Sequence, residues 1–284
     1  MQRLKLFFGL HLVTLVFVGW TSVQAVGQQQ PQREYGAQVG IDLQTHVEQS
    51  RVAILPLGSI EYHGPSGPPL TDSMIAEGLA RRIAPDLRAS VFPVLSYTHA
   101  PAHSAAYRGT VSVRGATVTV LLEDVLTSLV DNGFDRILVL NGHDGNIGPA
   151  RAAISRVTHN REGTQMVLVS WWETLPTPDV ESLNLFTSGN GGHGHGGPLE
   201  LSVAAVFAPD SVRPAQGPDL PALTGHVDFP YYLEKGDVTG WPGYSGKLSE
   251  ISAASGEKLV QLSARRLVKL VATWLRYPNR PGSW

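Results

Sequence analysis

The sequence predicts an α/β fold, a three-layer α/β/α sandwich with a mainly parallel central sheet. Short apolar runs rich in β-branched residues alternate with longer segments in which apolar residues recur every three or four positions. This alternation is typical of βαβ units, whose helices cover both faces of a parallel sheet. With 284 residues, of which 42% are hydrophobic and 16% charged, the chain is long enough to bury one sizeable core.

The first half of the predicted domain contains two strands and two helices. Residues 52–57 form an apolar run expected to be a buried strand, and a helix should follow over 73–84, where Pro85 would end it. A second strand is expected at 90–95. After a polar connection, apolar residues spaced three and four apart over 118–129 predict a strongly amphipathic helix.

The second half continues the same alternation. Strands are expected at 137–140 and 166–169, a helix between them begins near Ile147, and an amphipathic helix over 257–275 closes the domain. Polar segments follow the first, third and fourth strands. Because open parallel sheets bind ligands outside the carboxyl ends of their strands, these three segments should meet in one cleft.

The N-terminal residues 1–25 have the pattern of a secretory signal peptide. Basic residues precede an apolar run over 6–18, and small or neutral residues end at Ala25, the expected cleavage site. A membrane anchor is the alternative, but the run is short for a bilayer span and His11 and Thr14 interrupt it. We expect an exported protein, periplasmic or secreted, without stable membrane insertion after cleavage.

The rest of the chain divides into a short lead-in and one domain. Residues 26–39 are Gln-rich and aperiodic and suit a flexible lead-in, whereas 40–284 form the predicted single domain. Without residues 1–25 the chain keeps 20 basic against 24 acidic residues, so nucleic acid is not an expected partner. There is no cysteine, which excludes thiol nucleophiles and Cys-type zinc sites.

Candidate metal ligands follow the first and third predicted strands. Glu61, His63 and Asp72 lie in a Gly/Pro-rich loop, and carboxylate with imidazole is a donor set that holds zinc, manganese or iron. Such residues alone would fit an ordinary surface loop. A second loop, NGHDGN, occupies the matching place after another strand, and its glycines allow a tight turn that directs His143 into the cleft.

A third segment, GNGGHGHGGPLELS, is a glycine-rich loop that leads into an apolar helix. It contains His193, His195 and Glu200. Short His-rich tracts occur at metal and proton-transfer sites, but also as solvated loops. We interpret His193 as an ordinary loop residue.

These motifs resemble those of the creatininase (creatinine amidohydrolase) family over roughly residues 40–275. NGHDGN is similar to the family's Asn-Gly-His-Gly-Gly-Asn. Residues 108–110 are similar to its Pro-Gly-Thr segment, and residues 195–202 are similar to its His-Ala-Gly-Glu-x-Glu-Thr-Ser. Tyr62 stands where the family's first signature has glutamine. The remaining frame of that signature is kept at Gly58, Ser59, Glu61, His63, Gly64, Thr71 and Asp72.

The resemblance implies a creatininase-like fold and a metal-dependent hydrolase of C–N amide bonds. Glu61, Asp72 and His143 would hold one divalent metal, and His63 with a bridging Asp72 a second. His195 and Glu200 fall where the family keeps its catalytic histidine and glutamate, and their expected role is proton transfer beside a metal-activated hydroxide. The substrate would be a cyclic amide, a formamide or another small amide, and the family implies homo-oligomers, commonly hexamers.

The chain departs from creatininase proper at two positions. Asp144 and Gly145 replace a tyrosine and a metal-ligating glutamate, and Pro198 replaces the first glutamate of the third motif. These changes argue against creatinine as the substrate. They also leave the second metal one ligand short, so we expect it to bind more weakly than the first.

Three further residues are candidates for the substrate pocket: Asp144, beside His143, and Trp171 and Trp172, which follow the fourth strand. The tryptophans would form a wall of the pocket and pack against a planar substrate. Aromatic residues at a strand end belong to the apolar core about as often as they line a pocket.

Two other functions are consistent with parts of the sequence. One is an exported metal-binding or solute-binding protein that kept the fold without catalysis. Retention of His195 and Glu200 argues against it, because a binding protein needs no proton-transfer groups. The other is a serine hydrolase that uses Ser59, but Ser59 lacks the Gly-x-Ser-x-Gly elbow.

Overall fold

Parallel strands form the central sheet of the computed structural model, which describes residues 34–221 and 240–277. Within these residues the sheet has four strands in the order β2-β1-β3-β4. The strands are β1 (Val52–Leu57), β2 (Ser90–Val91), β3 (Arg136–Asn141) and β4 (Gln165–Ser170). All neighbouring pairs are parallel, and Leu57 at the end of β1 pairs with Asn141 at the end of β3.

Eight α-helices occur in the same part of the chain. They are α1 (Gly40–Gln49), α2 (Thr71–Leu87), α3 (Ala102–Ala105), α4 (Gly115–Asp131), α5 (Ile147–Thr158), α6 (Thr177–Ser182), α7 (Pro198–Phe207) and α8 (Ala253–Trp274). None of the helices in the described residues combines the length and apolarity needed to cross a membrane.

Two apolar cores lie on opposite faces of the sheet. Successive strand residues point to opposite faces, so Ile54 and Leu138 face α2, α7 and α8, while Leu55 and Val139 face α4 and α5. Each of these four side chains is at most 3% exposed. The predicted three-layer α/β/α sandwich with a parallel sheet is therefore confirmed.

Helix α2 is longer at both ends than its sequence pattern predicts. It begins at Thr71, which places Asp72 in its first turn, and it continues through Pro85 to Leu87. The prediction that Pro85 ends the helix is wrong, because proline near the last turn removes only one backbone donor. The helix ends where Arg88 takes a left-handed conformation, with φ of 52°, and bonds back to the carbonyl of Ala84.

The second strand is shorter than predicted. It covers only Ser90–Val91, although the backbone of Phe92 and of Leu95 still bonds to β1. Pro93 lies between them and has no N–H to donate, which interrupts a regular ladder. Helix α1 was not predicted, and α8 begins at Ala253, four residues before the expected start.

The predicted signal peptide, residues 1–25, and residues 26–33 of the predicted lead-in lie outside the described residues. From Glu34 the chain contacts the domain. Glu34 forms a parallel bridge with Val91, and the ring of Tyr35 stacks on Phe92 with centroids 4.5 Å apart.

Candidate metal centre

Four buried side chains meet at the carboxyl ends of β1 and β3. Glu61 and His63 lie in the loop after β1, Asp72 in the first turn of α2, and His143 directly after β3. Each is at most 4% exposed. The location of Asp72 is favourable for a carboxylate, because the N-terminal end of a helix carries partial positive charge.

Backbone and amide hydrogen bonds hold the two loops in place. The N–H of Glu61 donates to the carbonyl of Pro69 at 2.8 Å. In the NGHDGN motif, the Oδ1 atom of Asn141 accepts from the N–H of His143 at 3.1 Å, and the amide of Asn146 donates to the carbonyl of Gly58 at 2.8 Å. Asn146 therefore joins the loop after β3 to the loop after β1, and Asn141 holds the turn that contains His143.

The ring of His143 is oriented by a backbone carbonyl. Its Nε2 atom lies 2.8 Å from the carbonyl oxygen of His99, which can only accept, so Nε2 carries the proton. In the neutral ring, Nδ1 then has a free lone pair. This atom lies 3.0 Å from Oε2 of Glu61 and 3.0 Å from Oδ2 of Asp72.

His63 is oriented in the same way, with its nitrogens exchanged. Its Nδ1 atom donates to the carbonyl of Glu61 at 2.9 Å. Its Nε2 atom lies 3.1 Å from Oδ1 of Asp72 and 3.6 Å from Oε2 of Glu200. The two oxygens of Asp72 therefore face two different histidines, which is the arrangement a bridging carboxylate needs.

The carboxylates and imidazoles strongly shift one another's pKa. Burial raises the pKa of Glu61, but the effect of His143 is larger and lowers the value to about 2. Burial also raises the pKa of Asp72, but His63 and His143 together hold it well below its usual range. Burial lowers the pKa of His63, but the effect of Asp72 is larger and raises the pKa to about 10. Burial also lowers the pKa of His143, but Glu61 and Asp72 raise it well above 6.5. The buried carboxylates thus favour positive charge in the cluster.

A divalent cation fits this environment. Oε2 of Glu61 is buried and makes no hydrogen bond of normal geometry within the described residues, although it lies 3.0 Å from Nδ1 of His143. Oxygen and imidazole nitrogen donors of this kind hold zinc, manganese and iron. Three groups offer ligand atoms within 4.8 Å of one another: Glu61, Asp72 and His143; His63, Asp72 and Glu200; and Glu61, His63 and His195.

His195 lies at the edge of this cluster and is 21% exposed. Its Nε2 atom donates to the carbonyl of Tyr62 at 2.7 Å, and its Nδ1 atom lies 3.8 Å from Oε2 of Glu61. Burial and the neighbouring His63 lower the pKa of His195 to about 4. The ring is therefore neutral near pH 7 and can accept a proton.

Glu200 comes from the first turn of α7, and its Oε2 atom lies 3.6 Å from Nε2 of His63. Its Oε2 atom accepts the N–H of Gly196 at 2.7 Å. Burial raises the pKa of Glu200 to about 7, against the opposing effect of His63. The structure thus brings both predicted proton-transfer residues to the four predicted ligands.

The three predicted pocket residues are placed differently from one another. Asp144 is exposed in a 3-10 turn and belongs to none of the three donor groups. Trp171 is 1% exposed within the apolar core, so its ring does not wall a solvent-accessible pocket. Trp172 is partly buried and packs against the same core. The apolar packing of the tryptophans is favourable because it removes large rings from water.

Two residues from the rejected interpretations have structural roles. Both ring nitrogens of His193 lie near backbone carbonyls, those of Asn190 at 2.9 Å and Leu175 at 2.8 Å. Ser59 is buried, and its hydroxyl donates to Oδ2 of Asp72 at 2.5 Å. Ser59 therefore orients a candidate ligand, a role that its position in the first motif did not reveal.

Gly145 has no room for a side chain. A Cβ atom there would lie 2.3 Å from the carbonyl oxygen of His99 and 2.7 Å from Nε2 of His143. These are the two atoms whose hydrogen bond orients His143. In this backbone, position 145 therefore supplies no ligand, and Glu200 is the carboxylate nearest to His63 besides Asp72.

The motifs and the geometry agree with a comparison to known proteins. Residues 41–271 match the family model described as creatininase, creatinine amidohydrolase. The chain belongs to the creatininase family of hydrolases. A creatinine amidohydrolase from Pseudomonas putida is 28% identical over 218 residues, covering 73% of this chain and 82% of that protein. A mycofactocin precursor peptide peptidase from Mycobacterium tuberculosis (strain CDC 1551 / Oshkosh) is 27% identical over 239 residues, covering 80% and 86%.

Solved creatininase structures share the fold. One structure of creatinine amidohydrolase (creatininase) superposes with a TM-score of 0.76 at 22% identity, covering 87% of this chain and 99% of that chain. A manganese form of creatininase superposes with a TM-score of 0.75 at 21% identity, covering 86% of this chain and 99% of that chain. A creatininase mutant of Zn–Zn type superposes with a TM-score of 0.75 at 22% identity, covering 85% of this chain and 97% of that chain.

Proposed function

We propose that this creatininase-family chain is a metal-dependent hydrolase that cleaves a C–N amide bond in a cyclic amide, a formamide or another small amide. One observation carries the proposal. His63 and His143 each donate one ring N–H to a backbone carbonyl and direct the other nitrogen toward buried carboxylates. Such outer hydrogen bonds are how proteins prepare imidazoles as metal ligands.

In this proposal Glu61, Asp72 and His143 hold one divalent metal, and His63, Asp72 and Glu200 hold a second. Zinc, manganese and iron all accept these donors. The manganese and Zn–Zn forms of related creatininases support the choice of a divalent ion. When bound, the metal lowers the pKa of water and polarises a substrate carbonyl.

The remaining chemistry is assigned to the protein's own groups. Cleavage of a C–N bond requires a proton on the leaving nitrogen. His195 is partly exposed, and its Nδ1 atom faces the cluster, so it can accept a proton from the water that attacks the carbonyl carbon and deliver it to the leaving nitrogen. The sequence suggested proton transfer by both His195 and Glu200. We narrow this role to His195, because Glu200 lies 3.6 Å from Nε2 of His63 and is needed as a donor.

Two related enzymes support amide cleavage without naming one compound. The related proteins include a creatinine amidohydrolase and a mycofactocin precursor peptide peptidase. Hydrolysis of a C–N bond is common to both kinds of substrate. Loss of a side chain at Gly145, where creatininase proper has a glutamate, argues against creatinine itself.

A substrate screen tests the proposal. Protein loaded with zinc or manganese would be incubated with creatinine, other cyclic amides, N-formyl compounds and short peptides, and the release of amine would be measured. We expect turnover of at least one class, lost in Asp72→Asn and kept in Gly148→Ala. Saturable binding of these compounds without any turnover would instead favour a metal-binding or solute-binding protein that kept the fold without catalysis.

We also propose that the chain is exported to the periplasm or secreted, and that the mature protein is a homo-oligomer. The signal-like pattern of residues 1–25 supports export. Mass spectrometry of protein expressed with its full N-terminus should find a chain beginning at Val26. Light scattering on that material should give a mass several times that of one chain.

A further inference from the structure

Three aromatic side chains from distant parts of the chain form one cluster beside the metal centre. The rings of Tyr62 and Tyr107 are stacked, with centroids 5.0 Å apart and planes 8° apart. The ring of Trp241 meets Tyr107 edge-on, at 5.9 Å and 86°. The hydroxyl of Tyr107 also donates to the backbone carbonyl of Trp241. We call Tyr62, Tyr107 and Trp241 the aromatic wall.

The aromatic wall begins where the metal-ligand groups end. The ring of Trp241 lies 5.5 Å from the ring of His195, and His195 in turn lies 4.3 Å from the ring of His63. His195 also donates to the backbone carbonyl of Tyr62. Ring surface is therefore continuous from a candidate metal ligand, through the proposed proton-transfer residue, to the three rings of the wall.

The aromatic wall packs against the backbone at Gly243 and is partly exposed to solvent. A Cβ atom at Gly243, whose φ is 80°, would lie 2.7 Å from the ring of Tyr62 and 3.3 Å from that of Tyr107. Glycine therefore lets the backbone approach these rings closely. Tyr62, Tyr107 and Trp241 all remain partly exposed, so the wall has surface left for a ligand.

The charges around the wall favour a neutral ligand. Glu61, Asp72 and Glu200 already face the histidines of the centre. Burial and the proximity of Tyr62 raise the pKa of Tyr107, so its phenol is neutral at physiological pH. The next residue in the chain, Arg108, is exposed and adds a positive rather than a negative charge to this segment. Neutral aromatic groups, by contrast, pair favourably with tyrosine and tryptophan rings.

We propose that the aromatic wall determines specificity, by binding an aromatic ring that the substrate carries next to the amide bond to be cleaved. The proposal rests on the proposed function, which puts that amide at the metal centre. Tyr62 stands where the family's signature has glutamine, so part of this wall is a feature of this chain rather than of the shared motif. The substrate class is then an aryl or arylalkyl amide.

Three metal-chelating probes test this assignment without requiring turnover. Acetohydroxamate, benzohydroxamate and cyclohexanecarbohydroxamate share the group that binds a metal and differ only in their substituent. Their affinities for the zinc-loaded protein would be measured by calorimetry. We expect benzohydroxamate to bind about tenfold more tightly than acetohydroxamate, and more tightly than the cyclohexane compound, because aromatic pairs add to the effect of buried area.

Variants of the wall separate recognition from structural support. Tyr62→Gln and Trp241→Ala should bring the affinity ratio of benzohydroxamate to acetohydroxamate close to one, while the acetohydroxamate affinity and the zinc content stay unchanged. Tyr107→Phe keeps the ring and should keep most of the ratio. Tyr277→Ala, which removes an exposed tyrosine after α8, is the matched control and should change neither value.

Three outcomes would overturn the assignment. The first is a ratio that stays the same in Tyr62→Gln and Trp241→Ala. The second is an equal loss of both probes, which would mean that the wall supports the metal centre. The third comes from one additional probe, a trimethylammonium hydroxamate measured in the same way: if it binds most tightly, the wall recognises a cation. If the protein cleaves no amide, the proposed function fails, but the hydroxamate ratio still tests the wall.

Discussion

Individual atoms in the cluster determine what it can bind. Asp72 has one oxygen 3.0 Å from Nδ1 of His143 and the other 3.1 Å from Nε2 of His63. Its carboxylate is therefore common to both proposed metal positions. Ser59 and the carbonyl of His99 do not reach a metal themselves but orient the atoms that do. Loss of a ligand and loss of an orienting residue should consequently have different effects.

Asp72→Asn should lose both metals, because it removes the charge shared by the two donor groups. His143→Ala should lose chiefly the first metal, since His63 and Glu200 are retained. Elemental analysis after gel filtration would measure metal per chain. If Asp72→Asn keeps the same metal content as the parent protein, the bridging role is wrong.

Ser59→Ala should weaken metal binding by about 10–100-fold and keep activity at saturating metal, because outer-shell partners tune affinity without contacting substrate. Titration with zinc in competition with a chelating dye would measure the affinity. A serine hydrolase would behave differently. Complete loss of activity at saturating metal, with normal affinity, would indicate that Ser59 is a nucleophile.

Gly145→Ala should destabilise the protein by about 1–3 kcal/mol and weaken metal binding, because its Cβ overlaps the bond between His143 and His99. Gly148→Ala is the matched control, since a Cβ there has nothing within 4 Å. In helix α5 that change should be neutral or stabilise by up to about 1 kcal/mol. Denaturant unfolding of both variants gives the comparison. Equal stabilities would show that the backbone at position 145 adapts.

At the scale of elements, the glycine-rich loop before α7 is fixed at its start by Glu250. The carboxylate accepts the N–H of Thr187 at 2.9 Å and the N–H of Ser188 at 3.2 Å, and both hydroxyls also donate to it. The loop then continues to His195. Although burial raises the pKa of Glu250, these hydrogen bonds from Ser188 and Thr187 lower it overall. Glu250 thus positions the loop through charge-assisted bonds.

Glu250→Gln should reduce stability by about 1–3 kcal/mol at pH 7, because hydrogen bonds to a charged group are lost. Because folding lowers the pKa of Glu250, its carboxylate stabilises the protein at pH values above 4.5, the pKa in the unfolded chain. This stabilisation is lost as the pH falls through the pKa of Glu250 in the folded protein. The difference between the two proteins should therefore shrink below pH 4.5. Melting curves from pH 3 to 7 would measure it. A difference independent of pH would mean that the charge contributes nothing.

At the scale of the whole molecule, bound metal should be part of the protein's stability, since it has no cysteine and thus no disulfide. A ligand at about 100 times its Kd stabilises the folded state by about 2.7 kcal/mol. For a domain of this size, a strong chelator should then lower Tm by about 5–10 °C. Scanning calorimetry with and without chelator measures the shift. Asp72→Asn should show no such shift.

Before full removal, a mild chelator should leave about one metal per chain, the metal held by Glu61, Asp72 and His143. The group with His63 should lose its metal first, because Glu200 is 3.6 Å from His63 and its Oε2 already accepts from Gly196. Metal content during dialysis would be followed by elemental analysis. Equal resistance of both metals would contradict this order.

The sequence by itself determined the kinds and order of the main elements. Apolar periodicity is local, and it located β1, β3, β4 and the start of α5 to within a residue or two, and α4 to within three residues. The motifs also selected Glu61, His63, Asp72 and His143 as candidate donors, because carboxylates and imidazoles after parallel strands collect at one edge of the sheet.

Only the tertiary structure decided which atoms of those residues face one another. The tautomers depend on carbonyls from other loops, and the bond between His195 and Tyr62 joins residues 133 positions apart. The burial of Trp171, the exclusion of a side chain at Gly145 and the meeting of Tyr62 with Trp241 have the same origin. Periodicity and motif spacing describe neighbours along the chain, whereas these contacts arise from packing between distant segments.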